Sequence, residues 1–290
     1  MSGASRSKFG PLYTAVFGPH CDETVALAQG LASRISQRSL PLDHRLAYLL
    51  GRVVTDCVTM KAGAPSSYPR DFVELRHTCR MLDAWSADPE WKNLVGHLVQ
   101  RDHYLHDIFA FAAGDVLRRY GNQVRITAAP IGPLGPLAHP DLDLAVIGSS
   151  SFAVEVKAPA SMRAPTPENL TLADATTRIV QYASAAVRQV GGRSAILALG
   201  GLRYPKRNLR LLAQAVPDSM PAPFVGVMVL SLGLAEEDMQ EEIPANPRAS
   251  VWVRLAANLN PTTLLGAIPS QMICVPTYRG PRPRGFVPRK

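Results

Sequence analysis

Residues 141–157 read Asp-Leu-Asp-Leu-Ala-Val-Ile-Gly-Ser-Ser-Ser-Phe-Ala-Val-Glu-Val-Lys, and no other stretch limits the fold as tightly. Two runs rich in Val, Ile, Leu and Phe, 142–147 and 152–156, flank Gly148 and three serines, the pattern of an antiparallel hairpin with a short loop. Polar residues interrupt both runs. Asp143 opens the first, while Glu155 and Lys157 lie two apart near the end of the second, so the period of two sends both to one face. A carboxylate and an ammonium in an apolar strand are costly without partners. A divalent cation is a partner that could hold Asp143 and Glu155 together across the hairpin.

This residue set predicts phosphodiester hydrolysis. Asp143 and Glu155 offer hard oxygen ligands for Mg²⁺ or Mn²⁺, to which the Val156 carbonyl could add another. Such a cation polarises a phosphoryl oxygen and lowers the pKa of a bound water. Lys157 would hold that water and offset the charge that develops in the transition state.

Pro140-Asp141 or Asp143, followed by Glu155-Val156-Lys157, resembles the PD-(D/E)xK nuclease superfamily over roughly residues 100–200. The resemblance implies an α/β protein with the restriction-endonuclease-like αβββαβ core, a mixed sheet flanked by helices. It implies a Mg²⁺-dependent nuclease, in the first instance a DNA endonuclease of restriction, phage defence, repair or mobile-element processing. Asp143 leads directly into the apolar run and shares the strand's parity, so it is the preferred ligand; Asp141, which follows the proline, is the alternative. In the family the helix before the first strand often adds an acid, usually Glu. Here that helix carries Asp102, Asp107 and Asp115, and Asp107, one turn from His103, is the choice as a further metal ligand. The family often places a Gln on the helix after the hairpin, in some branches with a Tyr four residues on. Here Gln181 and Tyr182 are adjacent, and Gln181 is carried over as a contact to phosphate or water. The missing helical Glu and the adjacent Gln-Tyr motivate an alternative of a different class, a non-catalytic nucleic-acid-binding or assembly module that keeps the fold.

A chain of 290 residues, 47% hydrophobic, is long enough for one large or two small domains, and 19% charged residues argue against general disorder. The net charge of +8 favours polyanionic partners such as nucleic acid. Cys21, Cys57, Cys79 and Cys274 are scattered without metal-site or disulfide spacing, so reduced thiols are expected and zinc is not. The first residues lack the apolar core of a signal peptide, and no apolar run reaches ~20 residues, from which a cytoplasmic protein without membrane contact is expected. Cutting both strands of a duplex would use two sites, hence a homodimer.

Apolar periodicity predicts helices over 22–38, 42–60, 72–85 and 89–99, giving an N-terminal helical region, 1–98. Its arginines, among them Arg34, Arg45, Arg52, Arg76 and Arg80, read as a solvated basic exterior, with DNA grip, target choice or dimerisation as the functional reading. The nuclease-like core, 99–270, opens with a helix over 99–120 and a strand over 123–129. After the hairpin come a helix over 172–190 stopped by Gly191-Gly192, strands over 194–199, 223–232 and 250–255, and an acidic helix over 235–243. Arg203, Lys206, Arg207 and Arg210 recur at spacings of three or four, on one flank of any helix they occupy. Residues 271–290 read as a basic, disordered tail.

Overall fold

The computed structural model describes residues 18–35, 44–65, 69–89, 91–99, 104–119, 123–126, 131–132, 135–136, 142–145, 151–163, 170–215, 220–233, 235, 251–259 and 273–276. Strand residues 142–145, 251–259 and 273–276 are described through backbone and register. Two compact units result, residues 1–107 with 244–249 and residues 108–243 with 250–290. The acidic helix expected over 235–243 lies beyond the described residues, save Ala235, as do residues 277–290 of the expected tail.

The first unit is helical: α1 (Cys21–Ile35), α2 (Arg45–Lys61), α3 (Pro69–Trp85), α4 (Trp91–Leu98) and the start of α5 (Tyr104–Arg119). Apolar spacing explains the first two. Leu46, Leu49, Val53, Cys57 and Met60 form the buried stripe of α2, and Ala28, Leu31 and Ile35 that of α1. His44 starts α2 as its N-cap: Nδ1 accepts the Leu46 N–H at 3.1 Å, which leaves Nε2 as the donor to the Leu98 carbonyl at 3.0 Å. One imidazole thereby satisfies a helix start and the last carbonyl of α4.

Helix α3 packs against α1 and α2, and its polar residues Glu74, Arg76, His77 and Thr78 are buried. Burial on that scale needs internal partners. Arg45 donates to Glu74 and Asp71, Arg76 to Glu23 and Thr24, and Arg80 to Glu23, while Thr78 meets the Tyr104 hydroxyl at 3.3 Å. Arg34 pairs with Asp83, and Arg52 lies over the Tyr48 ring. Arg45, Arg76 and Arg80 are committed to acids within the helical unit, whereas Arg34 and Arg52 are exposed, as a solvated exterior expects. Single sequences do not display the acid that a tertiary fold will bring to a given cation.

Glu23 makes this network sensitive to acid. Burial works to raise its pKa, but hydrogen bonds and charge from Arg76 and Arg80 outweigh it and hold the carboxyl below its ordinary value. A carboxylate depressed in the folded state stabilises the fold fully above its unfolded pKa of about 4.3, and that contribution fades as pH falls through the lower folded value. The denaturant midpoint of the wild type is expected to fall more steeply below about pH 4.3 than that of Glu23→Gln. Parallel midpoint-versus-pH curves for the two proteins would show that the network carries no such linkage.

The second unit contains one seven-stranded sheet, in the order β1 (Gln123–Ile126), β4 (Leu142–Ala145), β5 (Ser151–Lys157), β6 (Ala195–Leu202), β7 (Phe224–Leu232), β8 (Val251–Leu259) and β9 (Ile273–Pro276). Two two-residue strands, β2 (Ile131–Gly132) and β3 (Gly135–Pro136), pair with each other. The β1–β4, β4–β5, β7–β8 and β8–β9 pairs are antiparallel, and β5–β6 and β6–β7 are parallel. Each parallel step needs a crossover, supplied by α6 (Leu172–Ala186) between β5 and β6 and by α7 (Lys206–Gln214) between β6 and β7. The class is α/β with a mixed sheet.

Strand β6 reads Ala-Ile-Leu-Ala-Leu-Gly-Gly-Leu because apolar layers cover both its faces. On one, Leu197 and Leu199 join Ile179, Ala183 and Ala186 of α6 and Leu209 and Leu212 of α7 in a single core. On the other, Gly200 faces the ring of Phe109 so closely that a Cβ would overlap it. The helix over 172–186 starts with a capping box, in which Thr171 and Asp174 exchange side-chain and backbone hydrogen bonds. Its last turn loosens before Gly191, whose φ of 60° only glycine adopts without cost. Strand β9 lies within residues 271–290, read from sequence as a disordered tail, and corrects that reading for 273–276; β1 is described over Gln123–Ile126, and residues 127–129 of the expected strand lie outside the described residues.

Candidate active site on the central hairpin

The hairpin register decides which residues meet. Asp143 lies opposite Ala153, and Leu142 opposite Val154. Residues opposite one another share a face, and Ala153, Glu155 and Lys157 share theirs by alternation. Asp143 is therefore on the face of Glu155 and Lys157 and diagonal to Glu155, a relation that sets Cα atoms roughly 7–8 Å apart. Val154 and Val156 take the other face, both buried. In the parallel direction Glu155 is level with Leu197 and Lys157 with Leu199.

Glu155 is wholly buried, at 0% exposure, and Lys157 retains 24% of its side-chain exposure. The Lys157 ammonium donates to Glu155 Oε1 at 2.5 Å and to Gln189 Oε1 at 2.5 Å. Gln189 belongs to the turn after α6, and its N–H donates to the Ala186 carbonyl at 2.9 Å. A buried carboxylate is tolerated because an amine meets it at hydrogen-bonding distance. Asp143 shares that face, and Arg125 of β1 lies opposite Asp143 by register, so two acids stand there with two cations, and a divalent cation would take its donors from the acids. All the donors offered are oxygens, the set that magnesium or manganese takes.

The remaining sequence candidates are not among the groups that meet the Lys157 amine. Gln181 is exposed on α6, and the glutamine at Lys157 is Gln189. Tyr182 hydrogen-bonds to Ser161 at 2.8 Å. Asp107 belongs to the helical unit, where Oδ1 lies 3.2 Å from His106 Nδ1 and the side chain is 14% exposed. Asp141 and His103 lie outside the described residues. Among the described residues no group of three or more His, Cys, Asp or Glu side chains gathers to hold a metal. A cleft of about 290 Å³ between α1 and α3 is lined by residues such as Leu27, Arg34 and Asp83 and includes none of the sequence-predicted site residues.

Gln189 was missed as a contact to Lys157. The sequence signal available was helical: it falls on the face of Arg178, eleven residues earlier, close to three full turns. That signal says nothing of a strand residue reaching it. Comparison with family models, with curated proteins and with solved structures finds no match to this chain. Its class rests on its own fold: an α/β protein with a mixed sheet and an acid–amine pair on a central strand. Among the described residues no helix is long and apolar enough to cross a membrane.

Proposed function

We propose that the protein is a metal-dependent nuclease with a restriction-endonuclease-like core, in which α5, β1, β4, β5, α6 and β6 form the αβββαβ succession. The observation that carries the reading is the Lys157–Glu155 pair at 2.5 Å on β5, with Asp143 on the same face of β4. Asp143 and Glu155 would hold Mg²⁺ or Mn²⁺. When bound, the cation supplies Lewis acidity toward a phosphoryl oxygen and a more acidic water. Lys157 orients the attacking water and offsets charge on the phosphoryl oxygens, while Gln189 holds the ammonium in place through its amide oxygen. DNA is the first substrate to test, and a homodimer would bring two sites to a duplex.

The second reading, a non-catalytic module that binds nucleic acid or assembles with partners, is favoured by the full burial of Glu155 and by the two contacts that already engage the Lys157 amine. Incubation of the pure protein with plasmid, single-stranded DNA and RNA separates the two. The nuclease reading expects cleavage with Mg²⁺ or Mn²⁺, none with chelator, and a drop of about 100-fold or more in Glu155→Gln, the scale of losing one transition-state contact. Asp143→Asn and Asp141→Asn, run side by side, assign the second acid: the ligand's loss abolishes cutting and the other's does not. A folded wild type that cuts none of these substrates with either metal sinks the nuclease reading.

A further inference from the structure

Cations are handled differently in the two units. In the helical unit Arg34, Arg45, Arg76 and Arg80 are each bound to an acid. In the second unit, from residue 158 to residue 215, the one carboxylate among the described residues is Asp174, and the capping box with Thr171 occupies it. Five of the eight basic residues of that stretch, Arg163, Arg203, Lys206, Arg207 and Arg210, follow the carboxyl ends of β5 and β6. Strands β5, β6 and β7 run parallel, so their carboxyl ends share an edge, and in open α/β sheets ligands are received beyond the carboxyl ends of the strands.

Local backbone bonds place the cations there. Arg163 bridges in parallel to Leu202, the last residue of β6, which sets it beside Arg203. Arg203 adopts φ 57°, and its N–H donates to the Leu232 carbonyl at 2.8 Å. The next residue is clamped as well: the Tyr204 N–H donates to Ser231 Oγ at 2.8 Å. Lys206 and Arg207 then open α7, and Arg210 follows at four and three residues, on the same flank. Arg207 and Arg210 are exposed and make no ion pair among the described residues. Two cations in a first helical turn oppose the helix dipole, a cost that an incoming anion removes.

We propose that the edge formed by Arg163, Arg203, Lys206, Arg207 and Arg210 is the surface that receives the phosphate backbone of duplex nucleic acid, without regard to base sequence. It deepens the nuclease reading and rests on it only for what happens after binding. Duplex is favoured on two grounds. Its charge density along the axis is about twice that of a single strand. Single-strand binders add aromatic platforms for stacking, whereas among the residues of this unit whose side chains are described Phe109, Phe111, Phe152, Tyr204 and Phe224 are buried and the Tyr182 hydroxyl is bonded to Ser161.

The test is anisotropy of a labelled mixed-sequence duplex, and of one of its strands, titrated with the full chain in chelator over a salt series. The wild type is expected to bind the duplex more tightly than the strand. Arg207→Gln/Arg210→Gln is expected to weaken duplex binding roughly tenfold and to make the slope of log K against log salt shallower by about 1.8, two phosphate contacts at about 0.9 each. Both side chains are exposed, so circular dichroism and the melting midpoint should match the wild type. Unchanged affinity and slope in the double variant overturn the proposal, as does preference for the single strand or binding only to anionic vesicles. Cleavage is scored separately with Mg²⁺ and Mn²⁺. Duplex binding with the expected slope but no cutting leaves this surface standing and removes the nuclease reading. Cutting by both proteins with the same KM and the same slope does the reverse.

Discussion

Lys157→Met is expected to lose about 3 kcal/mol of stability and all metal-dependent cleavage. Removing one member of a buried pair leaves the other as an uncompensated charge, a change that typically costs about 3–5 kcal/mol. The lower end applies because Lys157 is 24% exposed, so some water reaches the site, even though Glu155 is at 0%. Glu155→Leu/Lys157→Met removes both charges and fills the space with hydrocarbon, and such replacements are often neutral or better. Urea denaturation should therefore place the double variant within about 1 kcal/mol of the wild type, with cleavage still absent. That pattern would mean that the chain keeps a pair its stability does not require, as a reactive site does. A single variant as stable as the wild type, or a double variant as weak as the single, removes the energetic basis of the argument.

Arg45→Ala should destabilise the helical unit by about 3 kcal/mol, again the lower end of the buried-pair range, because Arg45 is 32% exposed. The guanidinium forks onto Glu74, with Nε to Oε1 at 3.1 Å and Nη2 to Oε2 at 2.6 Å, and Nη2 also reaches Asp71 Oδ1 at 2.9 Å. Glu74 is 2% exposed and Asp71 13%, one turn apart on α3, so loss of Arg45 sets two poorly solvated carboxylates against each other. Burial works against the charged form of Arg45, but Glu74 and then Asp71 outweigh it and hold the pKa above its ordinary value. It stays charged throughout the pH range of the folded protein. Arg45→Lys should recover only part of the loss, because an ammonium keeps the charge and lacks the planar fork. Equal urea midpoints for Arg45→Ala and wild type would show that these three groups act independently.

Several elements were legible because their cause is local. The stripe Leu46, Leu49, Leu50, Val53 and Val54 predicts α2, observed over Arg45–Lys61 with Val54 exposed, and alternation around Glu155 and Lys157 predicts strand β5, observed over Ser151–Lys157. Glycine and serine between the two apolar runs predict the hairpin that pairs β4 with β5. Less was legible where the decisive partner is remote. Gln189 meets Lys157 across 32 residues, and Arg45 finds Glu74 across 29. Strand β9 is only four residues, Ile273–Pro276, too short a run to stand out beside the Pro, Gly and Arg that follow it, and its pairing with β8 is a tertiary outcome.

By itself, then, the sequence determined the periodicities, the parity that puts Glu155 and Lys157 on one face, and an excess of positive charge. Each follows from backbone geometry or composition, which neighbours in sequence suffice to set. Tertiary structure alone decided that Asp143 stands opposite Ala153, that Gln189 takes the lysine's second hydrogen bond, and that Arg45 is paired with Glu74 while Arg207 and Arg210 are exposed. Those outcomes depend on strand register and on which helix crosses which strand, and both are fixed by packing summed over the whole chain.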